Sequence, residues 1–244
     1  RDFNLKKNVR FIFEVLFDLI TIILAEAEIE LIPDKIRGHP AVVSSAKKRG
    51  KKTSEILLDS NFHHRAMQKL NEKHRRGRPD ISHIFLLTVL ESIANKKNQV
   101  KTFIHTRNNE VLKIDSKTRI MRNYSRYMGL LEQLFKKKVV PNEKKPLLSM
   151  RKNMSLDDLI KKEKPDYSLC FSSTKKTGSL SKYFTDLKNE ENPENILCLI
   201  GGFPKGDFSS NVEKLSDDCI SIFSENLTAW TIANEVLVNY NNIF

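Results

Sequence analysis

Residues 75–83 combine side chains that bind phosphate or a base edge. They read RRGRPDISH, so the guanidinium of Arg78 comes two residues before the carboxylate of Asp80. Such a carboxylate can hold the planar fork of an arginine in one orientation, and Pro79 biases Arg78 towards extended backbone. These features favour an RNA-contacting loop. A surface ion pair in which Asp80 caps a helix beginning near Ile81 explains the segment equally well.

A second basic row occupies residues 118–127, where three arginines are spaced at i, i+3 and i+7. In a helix these positions share one face, and Tyr127, Leu131 and Leu134 lie on the adjoining face. Tyrosines among basic residues offer flat rings for unstacked bases beside charges for the phosphates, which favours a surface for single-stranded RNA. A solvated arginine face is the simpler alternative. The three arginines are Arg119, Arg122 and Arg126.

A glycine-rich loop, GGFPKG, follows the apolar run of residues 195–200. Glycines at the carboxyl end of a buried strand let the backbone approach a ligand closely, which is the usual position of sites in open α/β sheets. The sequence has neither the GxGxxG dinucleotide pattern nor the GK[ST] of a P-loop. By itself the loop fits a tight turn as well as a ligand site.

The charge of the chain indicates its class of partner. Its 244 residues carry a formal charge of +12 with a pI near 9.5, which favours a polyanion. A lysine-rich composition also accompanies adaptation to heat, so charge alone supports nucleic acid only in part. A hydrophobic content of 39% is sufficient for a real core. We expect one domain over residues 19–244, preceded by an extension of residues 1–18 to which we assign no function.

Cysteine and histidine spacing argues against two kinds of site. Three cysteines without CxxC spacing predict neither a disulfide framework nor a zinc site, and they fit a reducing cytosol. Cys198 lies in an apolar run, so we expect it in the core. Adjacent helical residues point about 100° apart, so His63 and His64 do not form the i, i+4 grip of a helical metal site. We therefore expect no metal.

The apolar residues 9–25 raise the question of a membrane span. Arg10, Glu14 and Asp18 interrupt them at regular intervals, and a bilayer span would not carry such a stripe. The spacing predicts a helix with a narrow polar face through about Asp18, followed by a strand over residues 19–25. We expect no membrane association.

Apolar periodicity predicts alternating helices and strands along the rest of the chain. The basic residues 46–52 indicate a mobile loop or an extra phosphate contact, and we favour the mobile loop. Continuous apolar runs in the C-terminal third, separated by helices, indicate a parallel sheet covered on both faces. The predicted strands are 55–59, 100–105, 110–114, 167–172, 195–200 and 219–223. The predicted helices are 62–70, 81–94, 125–137, 154–162 and 226–240.

Taken together and in order, these motifs resemble those of a known enzyme family. The set comprises ILLD at 56–59 with His63 and His64, RRGRPDISH, IHTR at 104–107, TRIMRNYSRYMGLLEQL at 118–134, IGGFPKG at 200–206 and NLTAW at 226–230. It is similar to the pseudouridine N1-methyltransferases of the SPOUT class that act in small-subunit ribosome biogenesis, and their archaeal branch looks closest. The resemblance runs from about Leu19 to the C-terminus.

The resemblance implies a fold, a cofactor and partners. The implied fold is α/β, a SPOUT-type parallel-sheet domain with a C-terminal trefoil knot. The implied protein is a cytoplasmic homodimer that binds S-adenosyl-L-methionine and methylates N1 of a pseudouridine in small-subunit rRNA. Ribosomal proteins or assembly factors are further implied partners, and no membrane is involved.

The resemblance also implies roles for individual residues. Arg78 contacts rRNA, Asp80 holds that arginine, and Arg119, Arg122 and Arg126 make further RNA contacts. Two departures from the family pattern are Glu225-Asn226, where relatives usually have Tyr-Pro, and Met121, where Pro is common. The expected cofactor-binding residues are Ser173, Thr174, Gly201, Gly206, Ile222, Phe223, Ser224, Glu225, Asn226 and Leu227.

The implied chemistry requires an activated nitrogen. N1 of a pseudouridine is an imide-type nitrogen that becomes nucleophilic when it loses its proton, and nearby positive charge favours the anion of a flipped-out base. Asp80 is expected to position Arg78 rather than to accept this proton, since a carboxylate paired with arginine is a poor base. Two alternatives remain open: an rRNA-binding assembly factor with little or no catalytic activity, and a knotted methyltransferase with a tRNA or another rRNA substrate.

Overall fold

The computed structural model describes residues 19–244, so the helix expected up to Asp18 lies outside the described residues. Within residues 19–244, eight strands form one sheet. The strands are β1 (Leu19–Ala27), β2 (Val100–Thr106), β3 (Val111–Ile114), β4 (Val139–Val140), β5 (Leu148–Arg151), β6 (Tyr167–Phe171), β7 (Asn195–Gly201) and β8 (Asp218–Ile220).

Helices connect these strands. The helices are α1 (Pro40–Lys48), α2 (Ser60–Met67), α3 (Pro79–Glu91), α4 (Ile93–Lys96), α5 (Tyr124–Lys137), α6 (Leu156–Glu163), α7 (Leu180–Glu190) and α8 (Ala229–Ile243). Short 3-10 helices occur at Asp34–Ile36, Thr53–Glu55 and Val212–Lys214.

The sheet has a parallel side and an antiparallel side, in the strand order β4-β5-β3-β2-β1-β7-β6-β8. Strand β1 runs parallel to β2 and β7, and β6 runs parallel to β7 and β8. The parallel sheet predicted for the C-terminal third is therefore confirmed. The other edge differs, because β3 pairs antiparallel with β2 and β5, and β4 pairs antiparallel with β5. The carboxyl ends of five parallel strands meet at one edge of the sheet.

Strand β1 is apolar except for Thr21 and Glu26, because both of its faces are covered. Ile20, Ile22 and Leu24 are fully buried in a cluster that includes residues of α3, α5, α7 and α8. Ile23 and Ala25 alternate with them and pack in a second cluster with residues of α6. A strand that is buried on both faces has a continuous hydrophobic sequence, and the strand predicted over residues 19–25 has this pattern.

Several predictions for the middle of the chain need correction. Residues 46–52 do not form a mobile loop: α1 includes residues 46–48, and Arg49 and Lys51 pair with the buried Glu132 carboxylate at 2.7 and 2.6 Å. Residues 55–59 form no strand, and only an isolated bridge joins Leu57 to Leu31. The backbone N–H of Leu57 donates to Glu132 instead, which holds this segment against α5. Helix α2 begins at Ser60 and ends at Met67, earlier than predicted.

The cysteine spacing predicted no disulfide framework, but the structure contains one disulfide. Cys170 on β6 and Cys219 on β8 are directly paired in the parallel register and form a disulfide, with their Cα atoms 4.4 Å apart. The reducing environment inferred from cysteine spacing loses its support for the same reason. Cys198 is free and fully buried on β7, and its core role is confirmed. Burial raises the pKa of this thiol well above its usual value.

Residues 19–244 contain no helix that is long and apolar enough to cross a membrane. The same residues contain no group of three or more histidine, cysteine or acidic side chains arranged to hold a metal ion.

Candidate functional site

A pocket of about 290 Å³ opens at the carboxyl edge of the parallel strands. Its walls are the residues that end β6, β7 and β8 together with the segment that leads into α8. Phe171, Gly201 and Ile220 are the last residues of those three strands, and each lines the pocket. Ligand sites in α/β sheets form at this edge because loops from neighbouring strands meet there.

Most of the predicted cofactor residues meet in this pocket, although they are separated by up to 54 positions in the sequence, from Ser173 to Leu227. Thr174 and Ser224 do not line it. Thr174 instead bonds the Ser172 hydroxyl at 2.8 Å. The predicted residues that line the pocket are Ser173, Gly201, Gly206, Ile222, Phe223, Glu225, Asn226 and Leu227.

Glycines determine the shape of the pocket. A Cβ on Gly201 would lie 2.7 Å from the Phe203 ring, and a Cβ on Gly202 would lie 2.7 Å from the Ala27 Cα. Gly206 has φ +80°, a conformation that L side chains rarely adopt. Gly202 packs on β1 and does not line the pocket, whereas Gly201 and Gly206 do. At these two positions no side chain covers the backbone of the wall, which suits a neutral heterocycle held by main-chain hydrogen bonds.

Arg78 lines the same pocket and is held by Asp80. Its Nε and Nη2 donate to the two carboxylate oxygens of Asp80 at 2.8 and 2.7 Å, and each side chain is 30% exposed. These hydrogen bonds raise the pKa of Arg78, while its partial burial acts in the opposite direction. Helix α3 begins at Pro79 with Arg78 at the N-cap, so Asp80 lies in the first turn and does not cap the helix. The pair presents a fixed, partly exposed guanidinium at the pocket wall.

Arg75 and Arg76 do not belong to the exposed basic surface. Their side chains are only 14% exposed and point into the protein. Arg76 donates to both carboxylate oxygens of Glu30 at 2.7 and 2.6 Å. Arg75 donates to Glu26 and Glu28, each at 2.8 Å. Arg75 and Arg76 therefore pack in the interior beside the pocket, and Arg78 is the arginine of this segment that lines the pocket.

The buried glutamates beside the pocket were not found from the sequence. Glu26, Glu28 and Glu30 lie at the end of β1 and just beyond it, and each is at most 5% exposed. Arg107 adds a third guanidinium, which donates to Glu28 at 2.5 Å. Burial raises the pKa of Glu28, and the neighbouring Arg107 and Arg75 offset part of that effect. The sequence does contain a pattern that could have revealed them. Three acidic residues at alternate positions at the end of an apolar strand indicate buried ion pairs.

The second basic row is organised differently from the prediction. Helix α5 begins at Tyr124, so Arg119 and Arg122 precede it and only Arg126 is helical. The single helical face expected for the three arginines is wrong, although all three are exposed. Tyr127 is fully buried, bonds the Ser82 hydroxyl at 2.6 Å and stacks on His83. It is a core residue and offers no ring for a base.

Two hydrogen bonds hold the second basic row close to the Arg78 segment. The ring Nε2 of His83 on α3 lies 2.8 Å from the Met121 carbonyl oxygen, between Arg119 and Arg122. The Tyr124 hydroxyl donates to Asp59 at 2.6 Å. The start of α5 therefore adjoins the start of α3, beside the pocket wall.

The chain resembles known proteins over nearly all of its length. It is 44% identical over 224 residues to "Ribosomal RNA small subunit methyltransferase Nep1" of Methanothrix thermoacetophila, an alignment that covers 92% of this chain and 96% of that protein. It is also 44% identical over 219 residues to the protein of the same name from Pyrococcus furiosus, covering 90% and 95%.

The structure also has a solved neighbour. It is similar to the crystal structure of Archaeoglobus fulgidus Nep1 bound to S-adenosylhomocysteine, with a TM-score of 0.79 and 32% identity, covering 91% of this chain and 97% of that one. Residues 22–241 match the family described as EMG1/NEP1 methyltransferase, a range that contains the pocket and every predicted site residue. The resemblance seen in the sequence motifs is confirmed, and the chain belongs to the EMG1/NEP1 methyltransferase family.

Proposed function

We propose that this protein transfers a methyl group from S-adenosyl-L-methionine to N1 of a pseudouridine in small-subunit rRNA, and that it takes part in small-subunit biogenesis. The observation that carries the proposal is the position of Arg78 in the wall of the pocket formed by Gly201 and residues 222–227. One cavity thus combines a backbone-lined site for a heterocycle with a fixed positive charge. The names of the related Nep1 proteins, and the ligand of the Archaeoglobus structure, support methylation of small-subunit rRNA with this cofactor.

The pocket residues fit S-adenosyl-L-methionine. When bound, this cofactor supplies a methyl group attached to a positively charged sulfur. Gly201 and Gly206 leave the loop backbone open to a ligand, and residues 222–227 offer peptide groups for the adenosine. Glu225 and Asn226, which replace the usual Tyr-Pro pair, both line the pocket, and we propose that this segment still holds the adenosine through its backbone.

Arg78 is proposed to favour ionisation of the target base. Its guanidinium beside a flipped-out pseudouridine stabilises the N1 anion, because an opposite charge within a few ångströms favours the ionised form. Asp80 determines where that charge lies, since both of its oxygens accept hydrogen bonds from Arg78. We assign Asp80 a positioning role rather than proton abstraction, because a carboxylate engaged in this way is a weak base.

The exposed arginines of the second basic row are proposed to bind the RNA backbone around the target. Arg119, Arg122 and Arg126 are exposed on a segment that adjoins the start of α3. The net charge of +12 adds a general attraction for a polyanion.

Further proposals concern assembly and location. We propose a C-terminal trefoil knot, a single domain over residues 19–244, and a homodimer in which the partner completes each pocket, as closed twofold association is the commonest oligomer. The rRNA substrate implies a cytoplasmic site of action with ribosomal proteins or assembly factors as neighbours. Sedimentation at micromolar concentration tests the dimer: a single species of twice 28.3 kDa is expected, and a monomer refutes it.

Mass spectrometry of small-subunit rRNA from cells with and without the gene tests the reaction. We expect one methyl group to be lost from one pseudouridine. Calorimetry with S-adenosylhomocysteine tests the cofactor site independently. A protein that binds rRNA but not this ligand, in cells that keep the methyl group, would be an assembly factor rather than an enzyme. A methyl lost from another base or from tRNA would refute the proposed substrate.

A further inference from the structure

The guanidinium of Arg75 lies between the buried glutamates and the pocket loop formed by residues 203–210. Its Nη1 donates to the carbonyl oxygen of Asp207 at 2.6 Å, and its Cζ lies 3.9 Å from the centre of the Phe203 ring. Its other nitrogens donate to Glu26 and Glu28. A cation stacked on a ring and bonded to a backbone carbonyl fixes both of them at once. Arg75 thus joins the pocket loop to the buried glutamates.

Glu26 provides a second attachment for the same loop. Its carboxylate accepts hydrogen bonds from the backbone N–H groups of Ser209 and Ser210, both at 2.7 Å. Glu26 has φ 52°, in the left-handed region that residues other than glycine rarely occupy. An unfavourable backbone conformation at a buried residue persists only where surrounding contacts maintain it, and such residues cluster at functional sites. Arg75 and Glu26 therefore hold the pocket loop at both of its ends and in the middle.

Glu28 connects this attachment to Arg78. Its carboxylate accepts from Arg75, and its backbone carbonyl accepts from the Arg78 N–H at 2.9 Å. Gly77 lies between the two arginines with φ +67°, and its carbonyl accepts from the Ser60 N–H. A Cβ at Gly77 would lie 3.1 Å from the Leu58 side chain, so this turn is closely packed. Residues 75–78 and Glu28 thus connect the pocket loop to Arg78.

We propose that Arg75 is a positioning residue that holds residues 203–210 in their cofactor-binding conformation and couples cofactor binding to the placement of Arg78. This inference rests on the proposed function, since it assigns the pocket to the cofactor and Arg78 to RNA. Arg75 itself contacts neither ligand. Its effect reaches the cofactor through the loop and reaches RNA through Glu28 and the turn at Gly77.

The substitution Arg75→Lys tests the first part. Lysine keeps a positive charge beside Glu26 and Glu28, but a single ammonium cannot also stack on Phe203 and reach the Asp207 carbonyl. We expect affinity for S-adenosylhomocysteine, measured by calorimetry, to fall about tenfold or more, the effect of losing one charge-assisted hydrogen bond. Arg76→Lys is the matched control, because Arg76 is equally exposed, also pairs with a glutamate and does not contact the loop. Its affinity should stay within about twofold of the unaltered protein.

RNA binding tests the coupling. Affinity for a single-stranded oligonucleotide that contains one pseudouridine is measured with and without S-adenosylhomocysteine. In the unaltered protein and in Arg76→Lys the cofactor product should strengthen RNA binding by about fivefold or more, within the usual range of coupling between sites. In Arg75→Lys the ratio of RNA affinities with and without S-adenosylhomocysteine should fall towards one. A factor of one in the unaltered protein overturns the coupling, and equal losses in both variants overturn the specific role of Arg75.

Two further outcomes separate this inference from the proposed function. If the unaltered protein does not bind S-adenosylhomocysteine, the proposed function fails. If it binds and Arg75→Lys binds equally well, only the role of Arg75 fails. Should Arg75→Lys not fold, as judged by circular dichroism, Glu26→Gln replaces it, because Gln retains the shape of Glu26 and weakens its attachment to Ser209 and Ser210. Unchanged ligand affinity in folded Glu26→Gln protein would overturn the inference.

Discussion

The Arg78–Asp80 pair gives the most specific prediction about catalysis. If Asp80 acts only through Arg78, then Arg78→Ala and Asp80→Ala each lower turnover, and the double variant loses little more than Arg78→Ala alone. If Asp80 is the base, it acts independently and the losses multiply. Asp80→Asn refines the comparison, since Asn keeps one acceptor oxygen for Arg78 and loses the negative charge.

The expected magnitudes follow from the two hydrogen bonds at 2.8 and 2.7 Å. Loss of a positive charge that stabilises the reacting group costs about 10²- to 10³-fold in turnover, so this range applies to Arg78→Ala. A charge-assisted hydrogen bond is worth about 1 kcal/mol more than a neutral one. Asp80→Asn weakens one such bond and removes the other, so it should lower turnover by about 10- to 50-fold, less than Asp80→Ala.

Single-turnover methylation of a pseudouridine-containing oligonucleotide, with saturating enzyme and labelled cofactor, measures the chemical step. Affinity for S-adenosylhomocysteine is measured for each variant as the control, because Arg78 lines the cofactor pocket and rates are comparable only at saturating cofactor. Losses that multiply in the double variant would refute positioning and assign Asp80 an independent role. Turnover in Arg78→Ala equal to that of the unaltered protein would refute the role of the arginine itself.

Three further predictions follow from other parts of the structure. Arg122→Ala should reduce the slope of log RNA affinity against log salt by about 0.7, the value for one phosphate contact on single-stranded RNA. Gly201→Val should abolish S-adenosylhomocysteine binding in a folded protein, because the new Cβ would lie 2.7 Å from the Phe203 ring and push it out of its place in the pocket wall. Gly202→Ala should instead lower the free energy of unfolding by about 1–3 kcal/mol, because its Cβ meets backbone. Burial lowers the pKa of His63 and His105 below 6.5, so both stay neutral in the folded protein while the unfolded chain takes up protons. The free energy of unfolding should therefore decrease as pH falls through 6.5 until the lowered pKa values are reached, and denaturant titrations over pH measure this.

Each of these predictions has a contradicting result. An unchanged salt slope for Arg122→Ala would show that this arginine contacts no phosphate. Normal ligand binding by Gly201→Val would show that the pocket is wrongly placed. A His63→Asn, His105→Asn double variant should lose the pH dependence near 6.5, and its persistence would show that other groups cause it.

The sequence predicted elements whose signal is local. Strand β1 was found because a continuous apolar run identifies a strand covered on both faces, and α5 because its apolar residues repeat at helical spacing. The same helical spacing also predicts that Tyr127 is buried, because Tyr127 shares a helix face with Leu131 and Leu134, which belong to the core. The aromatic side chain was instead assigned to RNA because basic residues surround it in sequence.

The features that the sequence did not predict depend on contacts between residues that are far apart in the chain. Glu132 lies 81 residues from Lys51 and 83 from Arg49, so nothing local shows that one buried carboxylate holds them both. The Cys170–Cys219 disulfide depends on the register of β6 and β8, which cysteine spacing does not reveal. Pocket residues were identified by resemblance to a family, because strands that are far apart in sequence bring them together.

The Cys170–Cys219 disulfide closes a covalent ring that includes β6, α7, β7 and residues 203–210. Lys205, Gly206 and Asp207 are exposed within that ring. A protease that cleaves there produces two polypeptides, one ending just after β7 and the other carrying β8 and α8. Without reductant they migrate as one molecule, and with reductant they separate. The opposite walls of the pocket therefore stay joined after the loop between them has been cut.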